Sequence, residues 1–324
     1  MGHSDSRTTS IYLHVARKKE VLPTHYFHVV FTIPEGLRPL TLRNQKAAYT
    51  ILFRSVAETL KTLCKDPKHL GAEIGFISVL HTWSQTLIDH PHVHCIVPGG
   101  GLSFDGKKWV AGKPEFFISL KVLSRVFRGK FLDYWKQAYD AGGLGFCGEI
   151  SPLKEEAQFK KLLNDLYGQD WRVFCKPPFK RPENVIEYLG RYTHRVAISN
   201  DRIVKLEKDR VIFKYRDYSD GDKIKEMSLE AAEFIRRFFF HILPDQFFKI
   251  RYYGILSARS RKTKLEKCKE LLGVPLMQTD EQRLSWQELL EQVSGIDPTR
   301  CTHCKKGRLF LVEVLDPVRE RSPP

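Results

Sequence analysis

Long hydrophobic runs and cysteines are both scarce in this chain of 324 residues. No apolar stretch reaches the roughly 20 residues that a membrane-spanning helix needs. The first residues also lack the basic, apolar and small-residue order of a secretory signal. The seven cysteines are scattered and odd in number, which argues against a framework of disulfides and for a reducing compartment. We therefore expect a cytoplasmic protein.

Acidic residues are also in short supply. There are 38 Asp and Glu against 53 Lys and Arg, which gives a formal net charge of +15. A surplus of this size predicts an anionic partner, with nucleic acid as the best candidate, although a basic surface can also serve solubility alone. Hydrophobic residues make up 42% of the chain, which is typical of a globular protein and not of a disordered one.

The most distinctive segment is rich in histidine and spans residues 81–101, HTWSQTLIDHPHVHCIVPGGG. The apolar run after His92 ends at a proline and three glycines, so it predicts a strand. Side chains alternate between the faces of a strand, and His92 and His94 therefore point the same way. Two imidazoles on one face form half of a divalent-metal site. An isolated pair more often caps a polar sheet face, but four histidines within fourteen residues favour a metal.

A second strand is predicted just upstream, over residues 74–81. If the two strands pair antiparallel across the loop between them, the end of the first lies beside the start of the second. This places His81 near His92 and makes His81 the first candidate for a third ligand. The alternatives are His90, Gln85 and Glu187.

Two tyrosines follow in a segment that begins after Pro182, an acceptable position for a helix entry. In a helix, Tyr188 and Tyr192 lie one turn apart on one face, and Arg191 and Arg195 have the same spacing one position round. A phenol beside guanidinium groups can meet a phosphate that the arginines hold. The alternative is a tyrosine pair that packs against the core with its hydroxyls in water.

Basic residues are concentrated beside the tyrosines and near the C-terminus. Residues 176–182, KPPFKRP, predict a rigid basic connector, and a predicted helix over residues 259–272 opens with RSRKTK. Such residues can follow a phosphate backbone, or they can simply be a solvated face. The candidate DNA contacts are Arg191, Arg195, Lys176, Lys180, Arg181, Arg259, Arg261 and Lys262.

The other patterns mix strands and helices. Strands are predicted over residues 26–33, 171–175 and 247–253, with a meander over 196–199, 202–206 and 210–215. Helices are predicted over residues 44–64, 120–139, 152–167 and 229–241. The Asp-Gly pair at 105–106 predicts a hairpin turn. The fold class is therefore α+β, with helices packed on an antiparallel sheet and the histidine strand at its centre.

Three motifs carry a resemblance to a known family. They are YFHVVFTIP at residues 26–34, LHTW at 80–83 with HPHVHCIVPGGG at 90–101, and YLGRYTHRVAIS at 188–199. Together they resemble the two-tyrosine HUH transposases, which move insertion sequences by rolling-circle DNA transfer. The resemblance implies a ferredoxin-like HUH nuclease core, metal histidines at His92 and His94, and nucleophiles at Tyr188 and Tyr192. It further implies a bacterial protein associated with the nucleoid.

We expect three parts: an N-terminal arm (1–22), an HUH catalytic domain (23–256) with a helical insertion around 119–170, and a C-terminal part (257–324). The last part holds the basic helix and a Cys-x-x-Cys segment at Cys301 and Cys304, which is one half of a zinc knuckle and needs two more ligands to bind Zn²⁺.

Relatives usually carry a cysteine-rich zinc segment before the first strand, whereas no cysteine precedes Cys64 here. This predicts a shortened or rearranged copy, in which recognition of DNA ends is affected more than nicking.

The expected chemistry is metal-assisted nicking and joining of DNA that is single-stranded at the cleavage site, at transposon ends and target. A tyrosine hydroxyl can hold a phosphate covalently, and Mg²⁺ or Mn²⁺ on His92, His94 and His81 can polarise that phosphate. The products are a 5′-phosphotyrosine and a 3′-hydroxyl. One alternative is a non-catalytic DNA-binding remnant or regulator, and another is a metal-dependent hydrolase that uses water.

Overall fold

The structure, a computed structural model, describes residues 21–115, 117–179, 197–274, 297, 299–301, 304 and 306–309. All the helices and strands named below lie within one compact unit, Glu20–Leu276. The described residues from position 297 onward belong to a second unit.

The first unit mixes strands and helices along its whole length. Its strands are β1 (Tyr26–Thr32), β2 (Gly75–Trp83), β3 (Asp89–Pro98), β4 (Gly100–Leu102), β5 (Trp109–Ala111), β6 (Val173–Phe179), β7 (Ile203–Glu207), β8 (Arg210–Asp217), β9 (Lys223–Glu230) and β10 (Ile250–Gly254). Its described α-helices are α1 (Arg38–Arg43), α2 (Gln45–Lys65), α3 (Leu120–Asp140), α4 (Glu156–Tyr167), α5 (Ala231–Phe239) and α6 (Glu266–Leu271).

A five-stranded antiparallel sheet organises the unit, in the order β10-β2-β3-β1-β6. The histidine strand β3 lies at its centre. The apolar run at its C-terminal end is buried on both faces of the sheet, with Cys95 and Val97 in one apolar cluster and Ile96 in the other. The β2–β3 ladder pairs His81 with His92 and Val79 with His94. The prediction of an α+β fold with helices packed on an antiparallel sheet is therefore confirmed.

The two faces of this sheet bury different kinds of side chain. One face packs apolar side chains such as Phe31 and Val93 against α2 and α3, which contribute Phe53 and Phe127 to the same cluster. These two helices match the predicted ones to within one residue, because their apolar residues recur at helical spacing. The opposite face carries the histidines at one end and a second apolar cluster at the other.

A three-stranded antiparallel meander, β7-β8-β9, follows with helix α5. The sequence predicts its first strand at residues 196–199, of which residue 196 lies outside the described residues, but Ser199 instead begins a 3₁₀ turn. Its carbonyl accepts a hydrogen bond from the Arg202 amide at 3.0 Å, and its hydroxyl donates to the Asp201 carboxylate at 3.1 Å. Such local bonds compete with strand pairing.

The third strand of the meander is β9, which the sequence patterns did not predict. Of its residues, only Met227 and Leu229 pack into the apolar cluster around Phe213. The alternation of apolar and polar residues along β9 is therefore weak, because most of its other residues are charged. The helix that was predicted from residue 229 begins instead at Ala231. The turn between β7 and β8 has Lys208 at φ +53.

Residues 176–179 were predicted as part of a connector, but they continue strand β6. Lys176 pairs with His28, and the register shifts before Phe179 pairs with Tyr26. Strand β6 is an edge strand, where a proline that lacks an N–H group can be tolerated. The sequence does not show which strand lies at the edge, so its two prolines predict a connector where the structure has a strand.

The predicted hairpin is also present. Strands β4 and β5 form a hairpin whose turn includes Gly106 at φ +69, as its Asp-Gly pair predicted. All seven cysteines are free thiols. Among the helices that the structure describes, none has the length and apolar character to cross a membrane.

Candidate metal centre

Three histidines converge on one face of the central sheet. His81 reaches this point from the end of β2, and His92 and His94 from alternate positions of β3. One ligand nitrogen of each lies within 4.8 Å of the others. The strand register alone produces this grouping, so the structure brings together the three predicted metal ligands.

The orientation of His92 is fixed by its own strand. Its Nδ1 donates a hydrogen bond of 2.6 Å to the carbonyl of His90. The lone pair of the neutral ring is then on Nε2, which is the usual arrangement of a metal-ligating histidine.

His94 is oriented by a fourth histidine that the sequence analysis did not select. The Nδ1 of His94 shares a hydrogen bond of 2.8 Å with Nε2 of His28, and the two rings stack with centroids 5.0 Å apart. His28 lies on β1 and is buried. Its place between the apolar residues Phe27 and Val29 of a predicted strand is the signal that identifies it.

Burial controls the charge of these imidazoles. It lowers the pKa of His92 to about 4, that of His28 to about 3, and that of His94 well below its ordinary value. Neighbouring imidazoles and Lys176 act in the same direction on His94. The rings are therefore neutral near pH 7, and neutral imidazole is the form that binds a metal ion.

The alternative third ligands are placed differently. Gln85 uses its amide to contact the Tyr218 hydroxyl at 3.3 Å and the Arg216 backbone N–H at 3.4 Å. The ring of His90 lies 5.3 Å from that of His92 by centroids, and Glu187 is outside the described residues. Within the described part of the chain, the three-histidine group is the one cluster with metal-ligand spacing.

A cavity of about 850 Å³ opens above the histidines. Its floor is the histidine face of β1, β2 and β3. Another side is formed by Ala197, Ser199 and Arg202, which precede the meander, and by residues 215–219 within it. Cationic and aromatic side chains line it together with the imidazoles. They include Lys176, Arg202, Trp83, Tyr215 and Tyr218.

The sequence of this region matches a known family. A family model described as "Putative transposase" matches residues 75–264, which is more than half of the chain and includes the three histidines. A curated relative, "Putative transposase y4qJ" of Sinorhizobium fredii (strain NBRC 101917 / NGR234), is 47% identical over 304 residues, covering 93% of this chain and 76% of the relative. The chain belongs to this transposase family.

A more distant relative of the transposase is the "Transposase for insertion sequence element IS801" of Pseudomonas savastanoi pv. phaseolicola. It is 27% identical over 288 residues, which cover 89% of this chain and 67% of the relative. No solved structure is a significant match. These matches confirm the resemblance to two-tyrosine transposases, and membership of the family implies a DNA-processing enzyme that binds DNA.

The predicted nucleophiles of the transposase, Tyr188 and Tyr192, lie outside the described residues. So do four of the predicted DNA contacts, Arg191, Arg195, Lys180 and Arg181. The described chain on either side of that segment borders the cavity, through Lys176 before it and Ala197 after it.

The remaining predicted DNA contacts of the transposase fall in two places. Lys176 is exposed and borders the histidine cavity. Arg259, Arg261 and Lys262 are exposed beyond the end of β10, where Gly254 pairs with Gly75. At about 3.3 Å per residue along β2, that end of the sheet is roughly 20 Å from His81. The structure therefore does not bring the second group to the metal centre.

The two cysteines predicted to bind zinc lie in the second unit. The Sγ of Cys304 accepts a hydrogen bond of 3.3 Å from the Gly307 amide, and the amide of Cys301 donates to the Gly307 carbonyl at 2.7 Å. Hydrogen bonds from the backbone of Gly307 and Lys306 lower the pKa of Cys304. Among the described residues no further ligand joins them, so zinc at this turn stays a prediction.

Proposed function

We propose that this transposase nicks and joins DNA through 5′-phosphotyrosine intermediates, as rolling-circle transposition requires. The observation that carries the proposal is the group of three imidazoles, those of His81, His92 and His94, at the floor of a cavity. Lys176, which precedes the segment of Tyr188 and Tyr192 in the chain, and Ala197, which follows it, both border this cavity.

The donor set fits a divalent cation. His81, His92 and His94 offer three nitrogens and leave the remaining positions of an ion open, as a catalytic site requires. Mn²⁺ suits imidazole nitrogen better than Mg²⁺, which prefers oxygen ligands. When bound, such an ion polarises the scissile phosphate and offsets the negative charge that develops on it.

The covalent step belongs to a tyrosine. The phenol oxygen of Tyr188 or Tyr192 attacks the phosphorus and forms a Tyr–O–P bond, while the bond from phosphorus to the 3′-oxygen breaks. The phenol proton ends on that oxygen, which leaves as a 3′-hydroxyl. Because one phosphoester replaces another, rejoining needs no nucleotide cofactor, and two tyrosines allow two successive covalent steps.

The substrate in this proposal is a DNA strand that is unpaired at the cleavage point. A duplex is stiff over roughly 150 base pairs, whereas the backbone of an unpaired strand can bend to bring one phosphate to the floor of the cavity. Lys176 supplies positive charge beside the histidines, and exposed aromatic side chains such as Tyr218 can stack on unpaired bases.

Trapping of a covalent protein–DNA adduct tests the proposal. Purified protein is incubated with single-stranded oligonucleotides of pooled sequence and Mn²⁺ or Mg²⁺, and adducts are resolved on denaturing gels. We expect an adduct that disappears in the double variant Tyr188→Phe, Tyr192→Phe, whereas DNA binding is retained. Tyr167→Phe, an exposed tyrosine on α4, is the matched control and should leave the adduct unchanged.

Two other functions give different results in the same assay. A non-catalytic DNA-binding remnant binds the oligonucleotides without cleaving them. A hydrolase that uses water cleaves them without forming an adduct. An adduct that persists in the double tyrosine variant would falsify the assignment of the nucleophiles.

A further inference from the structure

The loop between the two metal strands, residues 84–88, is held by side chains from much later in the chain. Three successive carbonyls of the loop each accept a hydrogen bond from a residue 117, 151 or 154 positions further on. The donors are Arg202 to Gln85 at 2.5 Å, Arg237 to Thr86 at 3.0 Å and Nε2 of His241 to Leu87 at 3.1 Å.

The conformation of this loop needs such support. Leu87 adopts φ +61, a left-handed conformation that costs a residue with a side chain about 1–2 kcal/mol. Its side chain is fully buried, in a cluster with Ala197 and Phe213 of the meander region. Strained backbone of this kind persists only where its surroundings fix it.

His241 connects the loop to the metal strand itself. Since Nε2 donates to the Leu87 carbonyl, Nδ1 accepts a hydrogen bond from the Thr82 hydroxyl, at 3.2 Å. Thr82 directly follows His81 in β2. The next residue, Trp83, stacks on the His81 ring at 4.8 Å and lies 6.1 Å from the His241 ring, both between centroids.

We propose that Arg237 and His241 are positioning residues for the metal centre. By fixing the loop, they hold β2 and β3 in the register that sets His81 opposite His92. A slip of one residue would turn one of these imidazoles to the opposite face of the sheet. This inference rests on the proposed function, because it takes the three histidines to be a metal site.

The chain provides a matched control for Arg237 on the same helix. Arg236 and Arg237 both form ion pairs with Glu233, at 2.6 and 2.7 Å. Arg237 also reaches the loop, whereas the described contacts of Arg236 are with Glu233 and the ring of Phe240. Replacing either arginine removes an ion pair, but only one replacement removes the loop contact.

Calorimetric titration of the metal-free full chain with MnCl₂ tests the inference, with Arg237→Ala and Arg236→Ala as the paired variants. Loss of a residue that orients metal ligands typically weakens binding about 10- to 100-fold, and we expect that loss for Arg237→Ala only. Arg237→Lys keeps an ion pair with Glu233 and a donor for the loop, so it should restore part of the affinity. This variant also serves if Arg237→Ala does not fold.

A second pair of variants tests His241. His241→Gln retains an amide donor for the Leu87 carbonyl, whereas His241→Leu does not, so the glutamine variant should bind Mn²⁺ more tightly. Equal Mn²⁺ affinity in wild type, Arg237→Ala and His241→Leu overturns the inference and leaves the metal centre intact. A wild-type chain that does not bind Mn²⁺ rejects the metal centre itself.

Discussion

At the scale of single residues, two of the three candidate metal ligands are oriented by a hydrogen bond to a neighbour. The His90 carbonyl fixes His92, and His28 fixes His94 through a hydrogen bond between buried rings. Such partners hold a ring in one orientation before any ion arrives, which reduces the conformational freedom lost on binding. His28 therefore matters to the metal centre, although it is not among the three ligands.

Replacing His28 should weaken metal binding. We expect His28→Leu to bind Mn²⁺ about 10- to 100-fold more weakly than wild type, because the leucine fills the space without offering a hydrogen bond to His94. His28→Gln, which can restore that bond, should lose less affinity. His69→Leu changes an exposed histidine of a surface turn and should have no effect in the same titration. Unchanged affinity in His28→Leu would contradict the assigned role.

At the scale of elements, the end of β10 lies very close to the backbone that leads into β2. Gly254 at the end of β10 adopts φ +58, and a Cβ there would lie 1.8 Å from the carbonyl oxygen of Ile74. That oxygen belongs to the backbone, so a local side-chain rotation cannot relieve the clash. Only glycine fits this position, at the point where the chain leaves the sheet toward the basic segment.

Two glycine-to-alanine variants should therefore have opposite effects on stability. Gly254→Ala should lower the free energy of unfolding by more than about 1 kcal/mol, because it adds a clash to an unfavourable φ. Gly129→Ala, inside helix α3 with no atom within 4 Å of the added Cβ, should raise it by about 0.5–1 kcal/mol. Denaturant unfolding measures both. A neutral Gly254→Ala would show that the strand end can move aside.

At the scale of the whole molecule, the positive charges behind the net charge of +15 lie in different places, and their positions decide which of them can contact DNA. Lys176 borders the histidine cavity, whereas the three basic residues after β10 lie at the far end of the sheet. Other cations of the surface are held by carboxylates, as Lys136 is by Asp140 at 2.6 Å. The cations therefore differ in what they can contribute to DNA binding.

The salt dependence of DNA binding can separate these cations. Each phosphate contact contributes about 0.7 to the slope of log affinity against log salt for single strands. Lys176→Ala should reduce that slope by about this amount, and Lys136→Ala should leave it unchanged. The measurement is fluorescence anisotropy on a labelled single-stranded oligonucleotide across a salt series. Equal slopes for Lys176→Ala and wild type would place the DNA away from the cavity.

The sequence by itself determined the α+β class, most of the strands and helices, and the shared face of His81, His92 and His94. Period-two alternation places His92 and His94 on one face, and the pairing of adjacent strands across a short loop places His81 beside them. Helices α2 and α3 followed from helical spacing in the same way. These features depend on residues that are near one another in the chain, so local patterns are sufficient to predict them.

Only the tertiary structure decided which distant groups meet at that face. Three features join parts that are far apart in the chain. They are the hydrogen bond between His28 and His94, the pairing of β6 with β1 at the edge of the sheet, and the hydrogen bonds from Arg237 and His241 to the loop. Local patterns do not encode such pairings, because they are set by the burial and hydrogen bonding of the whole fold. Tyr188 and Tyr192 remain predictions from sequence, and the adduct experiment tests them.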